Sequence, residues 1–180
     1  DDTSHSAHHI DGLIRFESDL AYEVYKYLRN RIFPIVVGGD HSIAIGSVSG
    51  TKMAYPDKRV GVVWIDAHAD LHTPWTTPSG NVHGMPLALL MQIEKKGRNK
   101  PQVYTMEIWD RLRKIGVNGP KLIPKDLVFI GLRDYEQEER AIIEEHGIKV
   151  ITVADLRKKG AEAVVKATLG HLSACEHIHV

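Results

Sequence analysis

The sequence predicts an α/β fold: a three-layer αβα arrangement around a doubly wound, mainly parallel sheet. Three observations predict it. Short apolar runs alternate with helical patterns along the whole chain, in the order helix, strand, helix, strand. The runs are apolar at successive positions, as strands covered on both faces require, rather than alternating apolar with polar. Polar, glycine-bearing turns follow several of them, which is where such sheets place their ligands. With 180 residues, 43% of them hydrophobic, the chain can bury one continuous core, so 1–180 is expected to form a single domain.

Taken in order, Asp1 to His9 holds His5, His8 and His9 among Asp, Thr and Ser and reads as a mobile or truncated end with no metal role. Ser18 to Asn30 carries Leu20, Val24, Tyr27 and Leu28 at the spacing of one helix face. Phe33-Pro34-Ile35-Val36-Val37 reads as a first strand, closed by Gly38-Gly39, and Ser42 as the cap of a helix to about Met53. Val60 to Ile65 is a second strand, and Pro86 suits the first turn of a helix through Ile93. Lys95 to Pro124 reads as a surface excursion with a short helix around Glu107 to Ile115. Strands at Leu127–Ile130 and Ile148–Ile151, helices at Glu136–His146 and Ala161–Leu172, and a final strand from His177 complete the pattern.

Composition excludes several classes of partner. Lys plus Arg and Asp plus Glu both number 23, so no global field recruits nucleic acid or an anionic membrane. Charges interrupt every apolar segment well short of the roughly 20 residues that span a bilayer. The single Cys175 cannot close an internal disulfide, and no signal-peptide pattern is present, so a soluble protein in a reducing, cytoplasmic setting is expected.

The chemistry concentrates after the second strand. Asp66, His68 and Asp70 occupy every second position, so in extended chain their side chains leave the same face. Two carboxylates and an imidazole gathered there repel and resist desolvation unless a cation joins them. His41, in Gly38-Gly39-Asp40-His41-Ser42, is aimed out at a neighbouring strand end by the glycine turn and the following helix. A donor set of carboxylates and imidazoles without thiolate favours a harder ion such as manganese, with zinc, cobalt, nickel or iron competing by affinity. Several carboxylates also permit two ions, a geometry that yields hydroxide near neutral pH, which makes hydrolysis the natural reaction class. The loop Thr76 to Gly84 gathers hydroxyls, an amide and His83, a side chain able to carry protons near neutral pH; composition alone favours an ordinary connecting loop.

Four segments together resemble the arginase branch of the ureohydrolase family. They are Gly38-Gly39-Asp40-His41-Ser42-Ile43-Ala44-Ile45-Gly46, Trp64-Ile65-Asp66-Ala67-His68-Ala69-Asp70, Ser79-Gly80-Asn81-Val82-His83-Gly84 and Gly131-Leu132-Arg133-Asp134. The resemblance spans about Pro34 to Val180. It implies an arginase-like fold, two Mn2+ ions per complete subunit, and His41, Asp66, His68 and Asp70 as metal ligands. It further implies that Asp70 and His83 are catalytic, His83 as a proton relay, that Ser79 and Asn81 bind the substrate α-carboxylate, and that Asp134 helps define the amino-acid end of the pocket. The implied reaction is hydrolysis of L-arginine to L-ornithine and urea by a metal-bridging hydroxide, a step of arginine metabolism and the urea cycle. No organic cofactor is required, and the family resemblance implies a homo-oligomer, trimeric or hexameric.

Departures from the family pattern keep other readings open. His72 stands where arginases usually have Asn, and Glu136 where the amino-group contact is usually Asp; both are expected at the substrate end of the pocket. They keep open, as an alternative, a sister ureohydrolase acting on agmatine, a guanidino acid or formiminoglutamate. Family members also continue past the strand matching His177 to Val180 into an Asp-x-Asp pair that completes the metal site, and they have a starting strand that would precede Asp1, so the domain is expected to be truncated at both ends. That expectation supports a further alternative, a non-catalytic, metal-binding family member.

Overall fold

The computed structural model describes residues 6–180. They form two compact units: residues up to Pro56 together with Asp70–Lys121, and Asp57–Ala69 together with Leu122–Val180.

The second unit contains the sheet. Strands β1 (Val60–Ile65), β2 (Leu127–Leu132), β3 (Lys149–Thr152) and β4 (His177–His179) lie in the order β3-β2-β1-β4, and every pairing is parallel. Parallel neighbours need crossover connections, and helices α5 (Gln137–His146), α6 (Val153–Lys159) and α7 (Ala161–His171) lie between the strands in sequence. Val63, Val128, Ile130 and Ile151 of the sheet pack with Val164 and Leu172 into one apolar cluster. Gly61 lets α7's end approach β1: a Cβ there would sit 3.1 Å from Cys175 Sγ and 3.2 Å from Leu172 Cδ2. Arg59 donates to both carboxylate oxygens of buried Asp126, at 2.5 and 2.6 Å, and so ties the start of β1 to the start of β2. Thr152 and Asp155 form a reciprocal capping box that starts α6.

The first unit is helical: α1 (Ile10–Arg29), α2 (Ala44–Ala54), α3 (Pro86–Met91) and α4 (Val103–Leu112). A 3-10 turn, His41–Ile43, leads into α2, capped by Asp40, whose Oδ1 accepts from the Ser42 N–H at 3.0 Å. Helix α2 is almost wholly buried and crosses α1 closely. Glycine makes that crossing possible: a Cβ at Gly50 would collide with the Ala21 carbonyl oxygen, and one at Gly46 would stand 2.8 Å from that of Glu17. Lys121, fully buried, donates its Nζ hydrogens to the carbonyls of Arg113, Val117 and Gly119 and so satisfies the end of the chain segment after α4. Its burial pushes the amine down to about 8.

The fold class agrees with the sequence expectation, and four differences are informative. Phe33–Val37 is not a strand. It has no regular secondary structure and pairs with none of the described residues, and Phe33, Ile35 and Val37 stand 86%, 81% and 91% exposed. Apolar content alone does not make a strand; a hydrogen-bonded neighbour does. The segment Ala7–His9 is not a free end: Ala7 is fully buried with Val82 and Met85, and the His8 N–H donates to Gly80 O at 2.7 Å. Small residues fit core gaps without advertising it in a hydropathy pattern. His5 lies outside the described residues. Helix α1 starts eight residues before Ser18, at Ile10, and α6 falls in a stretch where the sequence pattern predicts no helix.

Candidate metal and substrate site

Each unit holds part of the chemistry. In the first, His41 and Asp70 are brought together, with Nδ1 of the imidazole 3.0 Å from Oδ2 of the carboxylate. Asp70 is buried and has φ +51°, a left-handed conformation that aspartate tolerates better than most residues but at a cost. Its backbone is clamped, since Asp70 O accepts from the Leu87 N–H at 3.1 Å at the start of α3. A buried carboxylate that faces an imidazole across a strained turn is a donor pair suited to a hard divalent cation, and no thiol is near it in sequence.

Asp40 links this pair to the loop of His83. The imidazole Nδ1 of His83 stands 3.7 Å from Asp40 Oδ2. Burial alone would raise the Asp40 pKa; hydrogen bonds from Ser42 Oγ and N, with His83 and His41 nearby, outweigh it and hold the carboxyl below its usual range. The loop itself is built from short-range bonds: Gly80 N donates to Thr77 Oγ1 at 3.0 Å, and Asn81 N donates to Ser79 Oγ at 3.2 Å. Gly80 has φ +76°, so the turn that exposes Ser79 and presents Asn81 suits glycine. His72 is buried; its Nδ1 lies 3.1 Å from Thr76 Oγ1, and its N–H donates to Gly84 O at 3.0 Å.

In the second unit, Asp66 and His68 follow β1 directly. Asp66 Oδ1 accepts from the His68 N–H at 3.2 Å, and the ring of His68 has Asp66 on one side, at 3.5 Å, and Asp134 on the other, at 3.6 Å. Asp134 reaches that position because β2 ends in a bulge at Gly131, φ +86°, after which the N–H groups of Arg133 and Asp134 both donate to Ala67 O, at 3.0 and 2.9 Å. Glu136 precedes α5, where its N–H donates to Glu139 Oε2 at 3.1 Å, and it lines an open cavity of about 720 Å³ with Arg133, Tyr135 and Arg140. Cys175 is no ligand candidate: burial, with Asp126 beside it, pushes its thiol up to about 11, and it sits at the far end of β1 next to Arg59.

Sequence reasoning missed Glu17 and Asp40. Glu17 is fully buried, and its Oε2 accepts from the Gly46 N–H of α2 at 2.7 Å, while Oε1 has no hydrogen-bond partner among the described residues. No pattern marks an acid on a helix face as buried. Asp40, not Ser42, caps the turn into α2, and the spacing Asp-x-Ser before a helix start is the signal for that role.

Comparison with known proteins identifies the family. A family profile described as the Arginase family matches residues 6–180. The arginase of Bacillus subtilis (strain 168) is 38% identical over 171 residues, 95% of this chain and 52% of that protein. Among solved structures, the arginase of Bacillus cereus superposes with a TM-score of 0.84 at 32% identity, covering 97% of this chain and 55% of its own. The Entamoeba histolytica arginase, solved in complex with L-ornithine, gives 0.80 at 30% identity, covering 97% and 54%. The chain thus spans about half the length of the relatives it matches. On the strength of the profile and these relatives, the chain belongs to the Arginase family.

Proposed function

We propose that the protein is a manganese-dependent amidinohydrolase, a hydrolase acting on C–N bonds in linear amidines, that converts L-arginine to L-ornithine and urea. The observation that carries this reading is the contact of His41 with buried, strained Asp70, the meeting of two motif segments that resemble the arginases. The match of one profile to residues 6–180 supports reading the chain as a single ureohydrolase-type domain.

In this reading His41, Asp66, His68 and Asp70 hold manganese, with two ions per complete subunit. The metal supplies Lewis acidity and a nucleophile drawn from water near neutral pH. His83 carries the proton to the leaving amine, with Asp40 beside its ring fixing where that ring stands. Ser79 and Asn81 donate to the substrate α-carboxylate. Asp134 and Glu136 define the end that receives the amino group, and His72, through its bond to Thr76, shapes the adjoining wall.

The burial of His72 and the longer Glu136 favour one second reading, a sister ureohydrolase acting on agmatine, a guanidino acid or formiminoglutamate. A substrate panel on the full-length protein with added manganese separates the two. Urea and ornithine from arginine are expected. Hydrolysis of another guanidino compound with none of arginine moves the assignment to the sister enzyme, and manganese uptake with no turnover at all makes the protein a non-catalytic metal binder. Among the described residues no helix is long and apolar enough to cross a membrane. A lone Cys175 supports a cytoplasmic setting. The family resemblance supports a trimer or hexamer, which light scattering on the full-length protein measures.

A further inference from the structure

The segment before α1 holds the substrate loop by three separate means. Ala7 is fully buried in the cluster that includes Val82 and Met85. The His8 N–H donates to Gly80 O at 2.7 Å. The His8 ring places Nδ1 3.4 Å from Asn81 Oδ1. His9 then turns the chain into α1 with φ +54°, so the direction in which His8 faces is set on both sides, by the core and by the helix start.

That ring contact decides which end of the Asn81 amide is available. A carboxamide offers an acceptor oxygen at one end and two N–H donors at the other, and a carboxylate ligand can use only the donors. With an imidazole N–H engaging Oδ1, the Nδ2 hydrogens are the ones left to face a ligand, and the described residues make no bond to Nδ2. The wrong rotamer, oxygen outward, would meet a carboxylate with repulsion. We propose that His8 is a positioning residue for substrate recognition, which donates from Nδ1 to Asn81 Oδ1 and so orients the Asn81 amide toward a carboxylate-bearing guanidino substrate. The inference rests on the reading of Asn81 as a substrate-carboxylate donor. Its consequence is selectivity: His8 favours substrates that keep their carboxylate over decarboxylated ones, without touching either.

The test uses the full-length protein. In ¹⁵N spectra of histidine-labelled wild type, His8 carries its proton on Nδ1, and Asn81→Ala abolishes that tautomer preference. His8→Ala raises KM for arginine about tenfold, as expected for a weakened hydrogen bond to a charged group, with kcat within about twofold. KM for agmatine, which has no carboxylate, does not move. His8→Gln, which restores an N–H donor, recovers most of the loss. Equal increases in KM for arginine and agmatine, or a His8 ring protonated only on Nε2 in the wild type, overturn the proposal. Wild type that hydrolyses arginine with His8→Ala indistinguishable from it sinks this inference alone, whereas wild type with no turnover of either substrate refutes the activity reading and the carboxylate role together.

Discussion

Changing Glu17 to glutamine should stabilise the protein at alkaline pH and leave it nearly unchanged in acid. The carboxyl is fully buried where α1 crosses α2, and burial, the largest influence, raises its pKa from the ordinary 4.5 to about 7; the Gly46 N–H opposes the rise and the charge of Asp40 adds to it. Below about pH 4.5 the group is protonated in folded and unfolded chain alike. Between 4.5 and 7 the unfolded chain ionises first, so folding loses stability as pH rises, and above about 7 the loss is complete. A gap of about 2.5 pH units at about 1.36 kcal/mol each makes the full penalty roughly 3 kcal/mol. Glutamine keeps an acceptor for Gly46 and never ionises. Urea denaturation of wild type and Glu17→Gln should therefore give unfolding free energies whose difference grows, in favour of the variant, by roughly 2.5 kcal/mol between pH 5 and pH 8. All other titrating groups are common to both proteins and cancel. A difference that stays flat across that range, or a variant less stable at pH 8, would refute the assignment of Glu17 as a buried acid.

Three further outcomes are expected. Asp70→Asn, which tolerates the left-handed backbone but loses the charge, should cut manganese-dependent turnover more than about 100-fold and lower manganese content, while the metal-free melting temperature shifts by only a few degrees; near-normal activity would remove Asp70 from the ligand set. His83→Ala should lower kcat about 100-fold or more with manganese content unchanged by metal analysis, and matched loss of both would mean that the residue is structural. Gly50→Ala forces a methyl against the Ala21 carbonyl and should cost about 1–3 kcal/mol in denaturant unfolding; a neutral substitution would mean that α1 and α2 can move apart freely.

Much of the architecture is legible in the residues because it depends on local composition. The run Val60–Ile65 is apolar at every position and buried at all but the last, which suits a short strand with both faces covered; Leu127–Leu132 follows the same pattern as far as its bulge. Pro86 marks the start of α3 because its missing N–H costs nothing in a first helical turn. Phe33–Val37 shows the limit, since its composition matches β1 yet no described strand pairs with it. Helix α6 was hidden because seven residues with three terminal basic side chains show no usable periodicity, and its capping box, Thr152 with Asp155, is an exact local signal that hydropathy does not read.

The sequence by itself determined which residue types are available for chemistry and where they leave the strands: carboxylates and imidazoles on alternate positions after β1, and an imidazole after a glycine turn. Their spacing is legible in the chain, but strand geometry stops at Ile65: residues 66–68 bend and Asp70 has φ +51°, so the extended run that the spacing predicts is not what the structure has. Only the tertiary structure decided that His41 meets Asp70 across 29 positions, that Gly131 bulges to bring Asp134 to His68, that His72 is buried against Thr76, and that Glu17 and His8 contact α2 and the loop of Asn81. Those contacts depend on how helices and loops pack, which is set by shape complementarity among residues distant in sequence and leaves no period to read.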